Sequence, residues 1–310
     1  MNDVKGERAQ ATVVAVIAMT VLLGLTAAVL DVGSWYRADR AAQSTADAAA
    51  LAGAQALPYN PAGATALAQQ YAAKNGGGLG GGEEGEESGI SFSQKLVAND
   101  TITVKVKRSA PGFFSKIFGI KSVTVGAKAS ARASNVSAAK WAAPITVRNT
   151  HPKLADLGCP CFGEATSLPL DKTGAPGAFA LVTFDSDVQG TTGTPILADW
   201  INHGLDRYLN LGAYLSDPGA KWNSSQIRST LSARIGSELL FPVYDTLTGT
   251  GSNAQYHVIG WVGFHLTGVT ANGNSGSISG WFTQVIWEGL QVESSSQTPS
   301  FGARAIELVD

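Results

Sequence analysis

The strongest constraint on the fold is an uncharged apolar run near the amino terminus. From Ala11 to Leu30 the chain reads ATVVAVIAMTVLLGLTAAVL, with Lys5 and Arg8 before it and Asp31 after it. An α-helix of this length spans about 30 Å, the thickness of the hydrocarbon core of a bilayer. The run has no polar face, so a buried helix of a soluble protein is the weaker alternative. The sequence therefore predicts a transmembrane anchor at residues 11–30, preceded by a short cytoplasmic tail at residues 1–10.

Cleavage of this run as a secretory signal is a second alternative. Thr26 and Ala28 are small residues at the spacing that a signal peptidase needs. The run is longer than the usual signal core of about 7–15 residues, and nothing after it breaks the helix, so we expect it to be retained. Two positive charges lie on each side of the run and do not decide its orientation. We expect the short tail inside the cytoplasm and the bulk of the chain outside it.

The residues after the anchor predict that the same helix continues as a stalk. No proline occurs before Pro58, and alanine, the best helix former, dominates the segment. We expect one helix from about Ala9 to Leu57. Trp35 and Tyr36 would then lie at the outer membrane interface, where amphipathic aromatic rings are enriched.

A seam of small residues follows one face of this predicted stalk. It includes Ala42, Ala49 and Ala56 at helical spacing. Small side chains let another backbone approach closely, and the approaching backbone can belong to a helix of a partner, to a second copy of the chain, or to the protein's own sheet. The sequence favours neither self-packing nor helix-to-helix assembly.

Several residues at and beyond the end of the anchor form a specific combination. They are Asp31-Val32-Gly33, Tyr36, Arg40, Gln43 and the run Ala46-Asp47-Ala48-Ala49-Ala50-Leu51-Ala52-Gly53-Ala54. In these residues the chain resembles the Flp pilus-assembly TadE/TadG-like family, and the likeness extends to about Ser134. The resemblance implies a pilin-like protein of a tight-adherence pilus system in the cytoplasmic (inner) membrane of a bacterium. Its implied partners are other Tad/Flp pilus-assembly proteins or pilins.

The segment that follows, up to residue 134, predicts a small antiparallel pilin-like sheet beside the stalk. Asn60 and Pro61 begin a short helix, and a Gly/Glu-rich loop at residues 76–89 is expected to be mobile. Alternating apolar residues then predict two half-buried strands. Between them lies PGFFSKIFGI, residues 111–120, which we call the Phe-rich turn. Its apolar side chains predict a plug in the core, with a partner contact as the alternative.

The rest of the chain predicts a second, β-rich extracytoplasmic domain at residues 141–310, after a linker of small polar residues at 135–140. Helices are expected from Thr194 to Gly212 and from Ser224 to Gly236, followed by an antiparallel meander. The strand at residues 256–269 carries no Asp, Glu, Lys or Arg and is expected to be central. The fold class is thus α+β, with a long amino-terminal helix.

No residue pattern predicts a catalytic, cofactor-binding or metal site. A net charge of −2 gives no basic field for nucleic acid. Asp199, His203 and Arg207 lie at helical spacing, where a carboxylate could orient an imidazole, but no motif supplies a nucleophile. His257 and His265 would be about 26 Å apart on one strand, too far to share a metal.

Cys159 and Cys161 flank a proline and are the most ambiguous pair in the chain. Outside the cytoplasm they are expected to form a strained local disulfide, ahead of free thiols and of a metal site with His151. The sequence as a whole predicts a membrane-anchored component or accessory protein of pilus assembly. A tethered binding protein or adhesin is the alternative, and an enzyme comes third.

Overall fold

A computed structural model describes residues 3–76, 79, 89–155, 161–170, 180–185, 192–217, 221, 224–272, 275–292 and 301–309. The protein is α+β, with one long amino-terminal helix followed mostly by β-sheets, as the sequence predicts. The chain forms two compact units, one of Met1–Arg132 with the residues from Glu307 onward, and one of Ala133–Ile306. The Gly/Glu-rich loop expected at 76–89 lies almost entirely outside the described residues.

The first unit consists of two helices and a small sheet. Its elements are α1 (Asp3–Ala54), α2 (Pro61–Lys74), β1 (Ile90–Ser93), β2 (Thr101–Pro111), a 3₁₀ turn (Ser115–Phe118) and β3 (Ser122–Ser134). The predicted stalk helix is confirmed, although it ends at Ala54 rather than Leu57. Asn60 caps α2 by accepting a hydrogen bond from the Gly63 N–H at 2.8 Å, and Pro61 occupies the first turn, where no N–H is needed.

The sheet of this unit is antiparallel, as expected. β2 pairs with β1 on one side and with β3 on the other, in continuous register from Thr101 opposite Arg132 to Pro111 opposite Ser122. Alternate β2 side chains are buried, namely Ile102, Val104 and Val106. The Arg132 guanidinium also binds the Glu307 carboxylate at 2.5 Å, which ties the end of the chain to this unit.

A buried carboxylate organises the turn that leads into β2. Asp100 is only 1% exposed, and its oxygens accept hydrogen bonds from the N–H groups of Lys95, Leu96 and Val97 and from the Thr101 hydroxyl, at 2.6–3.2 Å. Burial by itself would raise the pKa of this carboxyl. The four donors outweigh burial, and the pKa lies below its usual value.

Asp100→Asn should therefore destabilise the first unit in a pH-dependent way. At pH 7 we expect a loss of about 1–3 kcal/mol in the free energy of unfolding, because one acceptor oxygen becomes an NH₂ donor that faces buried N–H groups, and the remaining bonds lose the negative charge. Because the pKa of Asp100 is lower in the folded than in the unfolded state, its ionised form stabilises the wild type at pH values above the unfolded-state pKa. This stabilisation disappears as the pH falls through the folded-state pKa. The difference in the free energy of unfolding between variant and wild type should thus become smaller at pH 3. Urea unfolding in detergent checks this, with the exposed Asp39→Asn as the control; a gap independent of pH would contradict it.

The second unit carries three groups of paired strands and three helices within the described residues. Its elements are β4 (Val136–Ala139), β5 (Val147–Arg148), α3 (Pro152–Ala155), β6 (Ala165–Pro169), α4 (Thr194–His203), β7 (Leu209–Asn210), β8 (Gly212–Leu215), α5 (Ser225–Ala233), β9 (Glu238–Thr248), a 3₁₀ turn (Gly251–Asn253), β10 (Gln255–Asn272), β11 (Ser275–Thr283), β12 (Val285–Ile286), β13 (Leu290–Val292) and the first part of β14 (Ala303–Val309), whose residues from Glu307 onward belong to the first unit. β4 forms where a linker was expected, because its small side chains fit into a three-stranded sheet of order β13-β4-β7.

The core of this unit is built on the predicted meander. β9, β10 and β11 pair in antiparallel order, and the sheet extends as β5-β9-β10-β11-β6, with β8 also paired to β10. β10 is central, as predicted, and its fully buried side chains include Tyr256, Val258, Val262, Phe264 and Leu266. β12 and β14 form a short parallel pair.

Helix α4 is shorter than the sequence predicts. It ends at His203 because Gly204 adopts a φ of +74° and its N–H bonds back to the Trp200 carbonyl at 2.9 Å. Leu209, which continues the apolar spacing of the helix, instead lies buried in β7. Helix α5 begins after Ser224, whose hydroxyl accepts a hydrogen bond from the Ile227 N–H, as expected.

Candidate membrane-anchoring and assembly surface

Residues 11–30 of α1 form an apolar cylinder with no cover. Its large side chains, from Val13 to Leu30, are 50–70% exposed. The mean hydropathy of its most apolar window is 2.7, and none of that window is buried in the protein. The hydroxyls of Thr20 and Thr26 donate to carbonyls one turn back, so they add no unsatisfied polar groups. A helix of this length and composition supports a single-pass membrane anchor.

The two aromatic residues beyond the anchor differ in their surroundings. Tyr36 is 57% exposed, while Trp35 is half-buried. Arg40 donates a hydrogen bond to the Tyr36 hydroxyl at 3.0 Å, and its guanidinium lies 5.2 Å from the centre of the ring. Cation–π contact and hydrogen bond together hold this pair on one face of the helix. That both aromatic rings lie at the membrane interface stays a prediction.

The seam of small residues is filled by the protein's own structure. Ala42 and Ala49 are fully buried, and Ala56 lies beyond the end of α1 and is half-buried. The seam faces α2 and β2, which contact α1 more than any other element does. At Gly53 the packing is tightest, since a Cβ atom there would lie 2.6 Å from Ile102 Cδ1. Self-packing, one of the two alternatives that the sequence left open, thus accounts for Ala42 and Ala49.

Polar contacts fix the same face of the stalk. The Thr45 hydroxyl lies 3.2 Å from the Asn75 carbonyl at the end of α2. Arg108 of β2 donates to the Gly76 carbonyl at 2.9 Å and reaches Thr45 Oγ1 at 3.4 Å. Gln43 donates to the Lys128 carbonyl of β3 at 3.3 Å. The stalk is therefore bonded to every large element of its unit.

The opposite side of the stalk remains free of cover. Five residues that share this side are exposed or carry no side chain, and we call them the exposed stalk face: Val32, Gly33, Tyr36, Arg40 and Ser44. At about 100° per residue they span roughly 120° of the helix, on the side away from Ala42 and Ala49. This face runs directly into the apolar cylinder. The sequence analysis missed it, although the same helical spacing predicts it once the seam is known to be buried.

Asp31 marks the junction between the apolar cylinder and the stalk. Its side chain is buried, and its oxygens accept hydrogen bonds from the N–H groups of Phe113, Phe114 and Ser115 at 2.6–3.2 Å. Three backbone donors converge on one carboxylate at the start of the 3₁₀ turn. The sequence analysis took Asp31 only as the end of the apolar run.

The Phe-rich turn is not a core plug, and that prediction is wrong. Its large apolar side chains are exposed, from 42% at Phe114 to 83% at Phe118. The 3₁₀ helix has four residues, and side chains three apart eclipse in such a helix, so it forms no broad face that could pack inward. The turn instead projects from the hairpin of β2 and β3.

Three of the four histidines of the second unit pair with acids. His203 Nδ1 lies 2.8 Å from Asp199 Oδ1, and both side chains are about two-thirds exposed. Arg207 does not join them, because α4 ends first; it donates to the Phe184 carbonyl. His257 and His265 each lie 2.9 Å from a carboxylate on β9. Among the described residues, no group of three His, Cys, Asp or Glu side chains could hold a metal ion.

A cleft in the second unit has a volume of about 460 Å³. Phe184, Arg207 and Tyr214 are among the residues that line it. Burial raises the pKa of Tyr214 to about 12, so its hydroxyl stays protonated and donates to the Asn210 carbonyl at 2.6 Å. The lining of the cleft is mixed, with aromatic side chains beside the guanidinium of Arg207 and the polar side chains of Asp185 and Asn210.

The predicted disulfide falls partly outside the described residues. Cys161 is half-buried, and its N–H donates to the Lys153 carbonyl at 3.2 Å. Cys159 is not among the described residues. A bond between the two cysteines therefore stays a prediction.

Comparison with known proteins adds one result for α1. No curated protein and no solved structure matches the chain. One family model does, over residues 9–56, the stretch that holds the apolar cylinder, Asp31, the seam and the exposed stalk face. This match supports a role in Flp pilus assembly. Over these residues the amino-terminal helix of this protein is thus similar to the Flp pilus-assembly TadE/G-like family.

Proposed function

We propose that the protein is a pilin-like, membrane-anchored component or accessory protein of Flp pilus assembly. It lies in the inner membrane of a bacterium, with its amino terminus in the cytoplasm and both compact units outside. The observation that carries this proposal is the Tad-like helix, whose apolar half is uncovered along its whole length. Such a helix needs lipid or other helices around it.

The protein acts by packing this helix against other Tad components. Ala42 and Ala49 already contact the protein's own sheet and α2, so the surface left for a partner is the exposed stalk face together with the apolar cylinder. Tyr36 and Arg40 offer a rigid aromatic ring and a guanidinium, the side-chain types enriched where protein interfaces gain most of their energy. A second copy of the chain could use the same face.

A photocrosslinking amino acid at Tyr36 tests this assignment. In intact membranes we expect it to capture Tad/Flp proteins or pilins, or a second copy of the chain. The same amino acid at Gln70, which is exposed on α2, serves as the matched control and should capture much less. Tyr36→Ala should lower co-purification of the captured partner without lowering the amount of the chain. Equal capture at both positions would contradict the proposal.

A membrane-tethered binding protein or adhesin is the second candidate. The cleft of about 460 Å³ in the second unit favours it, because this volume lies in the range of ligand pockets. In that case α1 would serve only as a tether. Capture of no Tad component from Tyr36, with normal membrane levels of the chain, would favour this candidate.

We propose no enzymatic activity. The Tad family consists of pilus-assembly proteins that are not enzymes. The Asp199–His203 pair is exposed to solvent, where an ion pair on a helix surface is commonplace and contributes little.

A further inference from the structure

The Phe-rich turn exposes more apolar surface than a solvated turn of its length needs. Five large apolar side chains within eight residues are exposed: Phe113 58%, Phe114 42%, Ile117 81%, Phe118 83% and Ile120 45%. Contiguous apolar surface of this kind marks a contact with another protein or with a membrane. Its position in the fold decides between these two occupants.

Asp31 holds this turn at the end of the membrane anchor. The carboxylate directly follows Leu30, the last residue of the apolar cylinder, and binds the N–H groups of Phe113, Phe114 and Ser115. From that point the 3₁₀ helix rises about 2 Å per residue, so Phe118 lies within about 10 Å of the anchored end. The apolar side chains of the turn are therefore fixed beside the place where α1 leaves the hydrocarbon.

The charges around the turn also suit a lipid surface. Lys116 and Lys121 are exposed between and after the apolar side chains, and no acidic residue occurs from Thr101 to Ser134. Apolar side chains that enter the interface and lysines that reach phosphate groups are the two features of interfacial membrane binding. The turn thus lies next to the apolar cylinder, and its positive charges suit anionic lipid headgroups.

We propose that the Phe-rich turn is a second membrane contact, which inserts into the leaflet on the side of the compact units. Ile117 and Phe118 enter the boundary between headgroups and acyl chains, and Lys116 and Lys121 bind lipid phosphates. With the anchor and the turn both in the leaflet, the first unit is attached at two points. One transmembrane helix alone would leave it free to rotate about the helix axis.

Lipid-borne photolabelling of the full-length chain tests this directly. The protein is reconstituted in vesicles of phosphatidylcholine and phosphatidylglycerol that contain a diazirine lipid, then irradiated and digested with trypsin. Cleavage after Lys116, Lys121 and Lys128 separates residues 117–121 from residues 122–128. We expect residues 117–121 to carry label at a level comparable with the anchor and severalfold above residues 122–128. Omitting phosphatidylglycerol should lower this labelling.

Two variants sharpen the result. Ile117→Ser combined with Phe118→Ser should reduce labelling of residues 109–116, because the turn would leave the leaflet. Ile235→Ser removes an exposed isoleucine from the second unit and should leave the labelling of residues 109–116 unchanged. Labelling of residues 117–121 no stronger than that of 122–128 would overturn the proposal. A photocrosslinking amino acid placed at Phe113 that captured protein, at a yield that rises with the protein-to-lipid ratio, would instead assign the surface to a second copy and would also overturn the proposal.

Discussion

Replacing Asp31 with alanine is expected to release the Phe-rich turn from α1. The N–H groups of Phe113, Phe114 and Ser115 would lose their acceptor, and hydrogen bonds to a charged group contribute about 1.5–3 kcal/mol each. Because the three bonds share one carboxylate, we expect a combined loss of about 3 kcal/mol rather than the sum. This corresponds to roughly a hundredfold faster amide exchange in the turn.

Hydrogen exchange of the full-length chain in lipid nanodiscs measures this effect. Asp31→Asn retains one oxygen and should give an intermediate rate. Asp39→Ala, which removes an exposed carboxylate two turns further along the same helix, is the control and should leave the turn unchanged. Unchanged protection in Asp31→Ala would show that the turn does not depend on α1.

Replacing Gly53 with leucine is expected to push α1 away from α2 and β2. A Cβ atom at this position would lie 2.6 Å from Ile102 Cδ1, 3.0 Å from the Ala64 carbonyl oxygen and 3.3 Å from Ala68 Cβ. Overfilling a packed contact costs about 1–3 kcal/mol, and a leucine side chain adds further atoms to the same space. We expect a loss at the upper end of that range in the stability of the first unit.

Gly33→Leu is the matched control on the same helix. A Cβ atom at Gly33 would meet nothing within 4 Å, and leucine is a better helix former than glycine by somewhat less than about 1 kcal/mol. This variant should be neutral or slightly stabilising. Thermal unfolding in detergent, together with the amount of protein in membranes, distinguishes the two. Similar melting temperatures for both variants would contradict the packing described at Gly53.

Local patterns predicted the elements of the first unit well. The apolar run, the absence of proline and the Asn60–Pro61 start each act over a few residues, and the helices follow from them. The β2–β3 hairpin likewise follows from alternation within each strand. The ends of elements were less predictable, because a single backbone angle at Gly204 stopped α4 although the apolar spacing continued to Leu209.

The candidate surface was predictable only in part. The small-residue seam was visible, but what covers it depends on strands that lie far along the chain. The bonds of Asp31 join residues more than 80 positions apart, and no local pattern encodes such a contact. For the Phe-rich turn, helical spacing indicated an apolar cluster correctly but carried no information on which side of it the rest of the protein lies.

Helix α1 is one unbroken rod of 52 residues, about 78 Å long, with no proline inside it. The large side chains from Val13 to Leu30 are exposed, whereas the residues beyond Asp31 are bonded to β2, β3 and the end of α2. A straight helix that is fixed to the first unit only along its carboxy-terminal part transmits motion from its free end to that unit. A rotation or tilt of residues 11–30 within the bilayer would therefore also move the sheet of the first unit, because no proline interrupts α1 between the two.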